Sequence, residues 1–269
     1  TVHGADTSDP LATKYGDDGV TVYELEYHIP RVKLENWPSY FMYLSSFNYL
    51  VNRVNDVPGQ SDYEMKKFQE RETQIIRNKT PTHLWTTMIG EPWYHRIEAL
   101  DILSEQGLMP YGTVILNPAK TPQSDIKFRH WDQSNRITTS AQQTSVDQYK
   151  GWPRQYSTGI IDIVMESTER ARFCTEKTYR PVFYGKPMVI LGARNANCAF
   201  AELIAHWPQD GGIRMEWDQY RLYEDRVKGL CEELHRLQDK WGGRYEALRN
   251  HLLNQTDGAK RHLQNLITQ

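Results

Sequence analysis

The chain has 269 residues, a length that can bury a hydrophobic core as one large domain or two small ones. Its residues are 39% hydrophobic and 12% aromatic, a composition that excludes a disordered chain. Its 32 basic and 34 acidic side chains give a net charge of -2, so a strongly cationic surface is excluded and nucleic-acid binding would need a local patch. The 3 cysteines lack metal-like spacing, and no apolar run approaches the roughly 20 residues of a membrane span, so we expect a reducing, cytoplasmic location and no membrane span.

The first 80 residues predict a polar arm, one strand and two helices. Residues 1–18 are polar and rich in turn formers, and alternating apolar residues over 20–30 predict a strand. Aromatic residues at helical spacing predict a helix over 37–54, with its aromatic face in the core. A thin apolar stripe predicts a second, charged helix over 61–78.

The next segment predicts a strand followed directly by a helix. The run HLWTTMI predicts a strand over 83–89, and the apolar spacing that follows predicts a helix over 93–106 with Gly107 as its C-cap. His95 and Arg96 then lie in the first turn. A helix N-terminus carries a partial positive charge, so Arg96 would strengthen an anion site there. In the alternative interpretation His95 caps the helix and Arg96 pairs with a neighbouring glutamate, Glu91 or Glu98.

A short strand over 113–116 precedes a long polar tract, 117–159, which we interpret as a functional loop and linker with room for short helices. The segment 160–191 then predicts strand, polar loop, helix and strand. A unit of this length is built best from parallel strands with a crossover helix. Since ligands bind at the carboxyl ends of such strands, we expect a shared site of Glu166, Thr175, Glu176 and Lys177.

The remainder predicts a loop over 192–199, a helix over 200–206, a short strand within 207–215 and a helical tail. The tail repeats apolar residues at helical spacing over 218–240, and shorter helices follow it.

Two blocks of sequence carry a family resemblance. The run F-C-T-E-K-T-Y-R-P-V-F-Y-G-K-P-M-V-I-L-G at 173–192, preceded by a strand that ends in Glu166, resembles the donor-binding segment of GT-B glycosyltransferases, including fucosyltransferase-like, viral and bacterial enzymes. The block G-E-P-W-Y-H-R at 90–96 looks like a P-x-x-H-R helix of the viral and bacterial set. Arg180 and Met188 depart from the family pattern, where Lys and Phe are frequent.

The resemblance implies an α/β fold of GT-B type, with two Rossmann-like lobes and a helical C-terminal tail. It implies an acceptor-side lobe over residues 1–150, including the polar tract, and a lobe over 151–269 that binds a nucleoside-diphosphate sugar. Phosphate needs cationic groups or helix N-termini, and ribose hydroxyls need a carboxylate. Lys177 and Arg180 fit the first role and Glu176 fits the second, unless these residues form only a capping box and an exposed helix face. The donor-binding residues implied are Arg96, Thr175, Glu176, Lys177, Arg180, Arg194 and Asn195.

The activity expected is metal-independent transfer of a hexosyl or pentosyl group to a hydroxyl acceptor, without a permanently bound cofactor, because the sequence has no D-x-D signature. Glu91, His95 and Glu166 are the candidate general bases, and their spacing does not select one. The acceptor is a glycan, a protein or a hydroxymethylated DNA base, and a viral enzyme would act in the host cytoplasm. The alternatives are a non-catalytic nucleotide- or glycan-binding module and a single-stranded nucleic-acid-binding protein.

Overall fold

A computed structural model describes residues 41–42, 70–71, 73–90, 92–116, 136–138, 154–166, 169, 173–174, 177–178, 181, 185–198 and 212–253. The strands are β1 Phe41–Met42, β2 His83–Ile89, β3 Gly112–Leu116, β4 Arg136–Thr138, β5 Gly159–Met165, β6 Phe173–Cys174 and β7 Met188–Leu191. The longer helices are α1 Tyr94–Glu105 and α2 Tyr223–Trp241, and residues 73–78 and 245–253 are also helical. Short 3₁₀ helices span Met109–Tyr111, Arg154–Thr158 and Glu216–Gln219.

Five strands form one parallel sheet in the order β4-β3-β2-β5-β7. The chain moves outward from β2 through β3 to β4, and then returns to the other side of β2 to place β5 and β7. Counted along the chain, this is the order 3-2-1-4-5 of Rossmann-like sheets. The strand order therefore reverses between β2 and β5, and in such sheets this switch point is where ligands bind.

The two strands at the switch point are fully suited to the middle of a parallel sheet. Every residue of β5 is buried, and β2 is buried apart from partial exposure at His83 and Met88. Such strands have near-continuous apolar runs because both of their faces are covered. The predicted parallel pairing of the strands on either side of the crossover is confirmed, since Asp162 to Met165 align with Met188 to Leu191 in β5 and β7.

Helices cover both faces of the sheet. On one face α1 and α2 pack together, and Leu100, Leu103, Leu230 and Leu234 join the apolar residues of the strands in the main core. On the other face a smaller cluster joins Ile76 of the helical segment 73–78 to Ile115 and Tyr156. The result is the layered arrangement of helices around a parallel sheet that the α/β prediction requires.

The glycine predicted to end α1 does so, and α2 also ends at a glycine. After α1 the chain turns through Gly107 at φ 69°, a left-handed conformation in which a residue with a Cβ is strained. At the other end of the core, Gly242 at φ 53° ends α2 and donates its N–H to the carbonyl of Gln238. The predicted helices over 93–106 and 218–240 are thus confirmed, with the second beginning at Tyr223 after a 3₁₀ turn.

Two predictions of secondary structure were wrong. Residues 41–42, within the predicted helix 37–54, form β1 and pair in parallel with β6. Residues 136–138, within the predicted loop, form β4 at the edge of the main sheet. In both cases long-range pairing outweighed the local pattern. Of the segment 207–215, in which a short strand was predicted, residues 212–215 are not a strand and the others lie outside the described residues.

The described sheet crosses the expected lobe boundary at residue 150. Its strands β2, β3 and β4 precede that boundary, whereas β5 and β7 follow it, and all five are hydrogen-bonded into one sheet. The boundary therefore does not separate two sheets in this part of the chain. Within the same part, no helix is both long enough and apolar enough to cross a bilayer.

Candidate functional site

The candidate site lies at the switch point, where β2 and β5 end at the same edge of the sheet. Glu166 directly follows β5, and its N–H donates to the carbonyl of Leu191 at the end of β7 at 3.0 Å. α1 begins four residues after β2 ends, with Trp93 at its N-cap. The first turn of α1 and the first residue after β5 are thus brought together by the sheet itself.

Three N–H groups of α1 converge on one main-chain oxygen. His95 Nε2 lies 2.9 Å from the carbonyl oxygen of Glu166, and Arg96 donates to the same oxygen from Nε at 3.2 Å and from Nη2 at 3.0 Å. Both side chains are buried, with 7% of His95 and 2% of Arg96 exposed. The first turn of α1 therefore fixes the position of the chain where it leaves β5.

His95 is held on its other side by a carboxylate. Its Nδ1 lies 3.4 Å from Oε2 of Glu169, and its ring meets the ring of Tyr223 edge to face at 5.8 Å between centroids. Burial lowers the pKa of His95, and the hydrogen bond to Glu166 and the charge of Glu169 oppose that change. Helix α2, which carries Tyr223, therefore contacts the first turn of α1 at the site.

The carboxylate of Glu166 points to the crossover helix. Glu166 is 1% exposed, and its Oε1 accepts a hydrogen bond from the buried hydroxyl of Thr178 at 2.5 Å. Thr178 and its neighbour Lys177 are helical, and Lys177 is partly exposed. A single residue, Glu166, is thus in contact with both sequence blocks, through its main chain with α1 and through its side chain with the crossover helix.

A second loop reaches the same edge after β7. Asn195 has a left-handed φ of 61°, and its N–H donates to the carbonyl of Asp218 at 2.8 Å. The amide of Asn197 pairs with both main-chain groups of Ile190 at 2.7 Å, which continues the hydrogen bonding of the edge strand β7. Arg194 is exposed and donates from Nε to the carbonyl of Gln219 at 2.8 Å.

The buried carboxylate of Asp218 anchors this loop. It accepts from the side-chain amide of Asn197 at 2.9 Å and from the main-chain N–H groups of Asn197 and Cys198 at 2.8 and 3.1 Å. Burial raises the pKa of Asp218, and these hydrogen bonds oppose the rise. Arg226 of α2 adds a bond from Nη2 to the carbonyl of Gly192 at 3.0 Å, and burial lowers its pKa. The loop after β7 is therefore tied to α2.

The structure brings several of the predicted site residues to one edge. His95, Arg96 and Glu166 are in direct contact, and Lys177 is next to the residue that binds the Glu166 carboxylate. Arg194 and Asn195 lie after β7, the strand beside β5. The other predicted site residues, Glu91, Thr175, Glu176 and Arg180, lie outside the described residues.

Sequence reasoning missed four residues of this edge. Glu169 and Thr178 have a local signal, because each lies within a polar stretch at the carboxyl side of β5. Asp218 and Arg226 have none, since their partners are 21 and 34 residues away in the chain. They resembled ordinary charged positions at the start of an amphipathic helix.

The described residues include no group of three or more His, Cys, Asp or Glu side chains that could hold a metal ion. No family model matches the sequence, and no curated protein or solved structure matches it. The functional interpretation therefore depends on the site residues and on the two sequence blocks.

Proposed function

We propose that the chain is a glycosyltransferase of GT-B type that transfers a sugar from a nucleoside-diphosphate sugar to a hydroxyl acceptor. One observation carries the proposal: the two blocks that resemble these enzymes meet through Glu166. Its carbonyl binds His95 and Arg96 of the first block, and its carboxylate binds Thr178 of the second. These contacts bring two motifs that are about 80 residues apart in the chain to one edge of the sheet, as a single site built from both would require.

The place where they meet supports nucleotide binding. It is the carboxyl edge of a parallel sheet at the point where the strand order reverses, which is the usual ligand site of this class of fold. Lys177 and Arg194 are at least partly exposed and belong to segments that follow β5 and β7, so their positive charges lie on the side of the sheet where the diphosphate is proposed to bind. Negative charge builds up on the diphosphate as it leaves, so cations placed there would stabilise the transition state more than the ground state.

The proposal also covers the two lobes, the need for a metal or cofactor, the cellular compartment and the acceptor. The described sheet would be the donor-binding lobe, and a second lobe would supply the acceptor side. The reaction would need no divalent metal and no bound cofactor, and it would take place in the cytoplasm. The acceptor class would be a glycan, a protein or a hydroxymethylated DNA base.

A thermal-shift panel of sugar nucleotides tests the proposal. A donor at about 100 times its dissociation constant should stabilise the fold by about 2.7 kcal/mol, which is a rise of roughly 5 to 10 °C in Tm for a chain of this size. Lys177→Ala should remove most of that rise with little change in the Tm of the free protein. Lys228→Ala is the matched control, because Lys228 is an exposed lysine of α2 paired with Glu224.

The result separates three outcomes. A donor-dependent shift with release of nucleoside diphosphate supports the transferase. A shift without turnover, with or without acceptors, indicates a non-catalytic binding module. The absence of any shift across the panel contradicts the proposal.

A further inference from the structure

Two of the three general bases expected from the sequence are not placed to meet an acceptor. Both ring nitrogens of His95 have partners, since Nε2 lies at the carbonyl of Glu166 and Nδ1 at the carboxylate of Glu169. The Glu166 carboxylate is buried at 1% exposure and bonded to Thr178. The third, Glu91, lies outside the described residues. Glu169 differs from these two, because 28% of its side-chain surface is exposed while it touches His95.

The hydrogen bonding of His95 fixes where its proton is. A carbonyl oxygen can only accept, so Nε2 must carry the hydrogen that meets Glu166. Burial lowers the pKa of His95, which favours the neutral ring with an unprotonated Nδ1. Nδ1 and Oε2 of Glu169 are then two acceptors 3.4 Å apart, an arrangement that becomes a hydrogen bond when the pair takes up one proton.

We propose that Glu169 is the general base of the transfer reaction and that His95 is its positioning residue; this inference rests on the proposed function. Glu169 removes the proton from the acceptor hydroxyl as the acceptor oxygen bonds to the anomeric carbon. The bond from that carbon to the diphosphate breaks, and the nucleoside diphosphate leaves with the electron pair. The proton stays on Glu169, where Nδ1 of His95 accepts a hydrogen bond from it. A single displacement of this kind inverts the anomeric configuration.

The surroundings of the pair support a polar ligand there. The hydroxyl of Tyr223 and Nε of Arg226 are buried without a hydrogen-bond partner among the described residues, as are three atoms elsewhere, so both are compatible with a polar ligand without requiring one. Burial is the main cause that raises the pKa of Tyr223, with Glu169 a smaller one, so the phenol stays a donor. The acceptor's oxygens would complete these hydrogen bonds.

Several titratable groups lie around the pair. Arg96 and Glu98 belong to α1, and Tyr223 and Arg226 belong to α2. The charge of Arg96 lowers the pKa of His95, after the larger effect of burial, and Glu169 raises it. Replacing the Glu169 carboxylate by an amide should therefore lower the pKa of His95.

The experiment compares Glu169→Gln, His95→Gln and Glu105→Gln with wild type. Glu169→Gln keeps the shape of the side chain and removes its basicity. His95→Gln keeps an amide N–H for the Glu166 carbonyl and removes Nδ1. Glu105→Gln is the control, because Glu105 lies at the far end of α1, about 15 Å along the helix from His95. Water serves as the acceptor, so that donor hydrolysis can be measured without knowing the natural one.

Glu169→Gln should lower the hydrolysis rate by about 10² to 10⁴-fold and remove the acid limb of the pH–rate profile, with the donor-induced Tm shift unchanged. His95→Gln should lower the hydrolysis rate less than Glu169→Gln does, because it removes the contact that positions the base but leaves the base in place. In ¹⁵N spectra of the histidine rings, the titration midpoint of His95 should fall in Glu169→Gln. Wild type should release the sugar with inverted configuration, and Glu105→Gln should match wild type throughout.

The outcomes that overturn the inference are distinct from failure of the proposed function. If wild type cleaves a donor with retained configuration, or if Glu169→Gln cleaves the donor at the same rate as wild type, Glu169 is not the base. A weaker donor shift in Glu169→Gln would assign the residue to donor binding instead. If the titration midpoint of His95 is the same in Glu169→Gln as in wild type, the two side chains do not interact. If no sugar nucleotide stabilises wild type, the proposed function fails first, and the inference fails with it.

Discussion

The guanidinium of Arg96 donates two hydrogen bonds to the main-chain carbonyl of Glu166, at 3.2 Å from Nε and 3.0 Å from Nη2. The sequence predicted an anion-binding role for this arginine, and that role stays a prediction. The contacts described here serve the fold, because they join the first turn of α1 to the end of β5.

Arg96→Lys should therefore lower the free energy of unfolding by about 1 to 3 kcal/mol, since an ammonium group cannot reproduce the planar fork and leaves a buried carbonyl short of donors. Urea denaturation followed by circular dichroism measures the change. Arg244→Lys is the matched control, because Arg244 also donates to main-chain carbonyls but at an exposed turn. If Arg96→Lys and Arg244→Lys lower the free energy of unfolding equally, the buried contacts of Arg96 do not stabilise the fold more than exposed ones.

Thr178→Val should lower the free energy of unfolding by about 1 to 3 kcal/mol, because it leaves the buried Glu166 carboxylate without the hydroxyl that it binds. Valine has nearly the same shape, so the effect isolates the hydrogen bond. If the crossover helix holds the donor, the donor-induced Tm shift should also fall. Thr178→Ser keeps the hydroxyl and should remain close to wild type in both measurements. A Thr178→Val protein as stable as wild type would argue against this contact.

The sequence could predict the elements whose pattern is local. β2, α1 and β5 are contiguous apolar runs or helical repeats with turn residues at their ends, and each was found within one or two residues of its expected bounds. β4 has no such pattern, because residues 136–138 become a strand only by pairing with β3. The same is true of β1, whose partner β6 lies more than 130 residues away.

The site could be predicted as a location but not as a set of contacts. The rule that ligands bind at strand ends predicted a shared site of Glu166, Thr175, Glu176 and Lys177, of which only Glu166 and Lys177 are among the described residues. The contact of His95 and Arg96 with Glu166 was not predicted. Which atom of each residue is used depends on how α1, β5 and α2 pack, and nothing in the local sequence encodes it. Glu166 illustrates the point, since its carbonyl and its carboxylate serve different neighbours.

Gly112→Ala should destabilise the fold by about 3 kcal/mol, near the upper end of the cost of overpacking. A Cβ at this position would lie 1.9 Å from Cε2 of the Trp85 ring, which is fully buried and donates from Nε1 to the carbonyl of Leu108. The ring would have to move and give up that bond. Gly90→Ala is the control, because a Cβ there meets nothing within 4 Å. Similar unfolding midpoints for the two variants in urea would contradict the close packing at Gly112.

The burial of Lys186 leads us to expect that the free energy of unfolding rises with pH. Its side chain is fully buried, donates to the carbonyl of Tyr156 at 2.5 Å and lies 3.6 Å above the Tyr156 ring. Burial lowers its pKa from 10.5 to about 7, and the charge of Asp162 opposes the change. Between these two values the unfolded chain binds the proton and the folded chain does not. Raising the pH from 7 to 8.5 should therefore increase the free energy of unfolding by roughly 1 to 2 kcal/mol.

The pH window is chosen so that other groups contribute little. Burial lowers the pKa of His83 and His95 below 6.5, so both are largely neutral in the folded and unfolded chain above pH 7. Burial raises the pKa of Cys231 from 9.0 to about 12, which opposes the rise only as the pH approaches 9. Urea midpoints at pH 7.0 and 8.5 measure the effect. Lys186→Met should abolish the increase, whereas Lys228→Met, at an exposed position, should retain it; an increase that survives in Lys186→Met would assign it to another group.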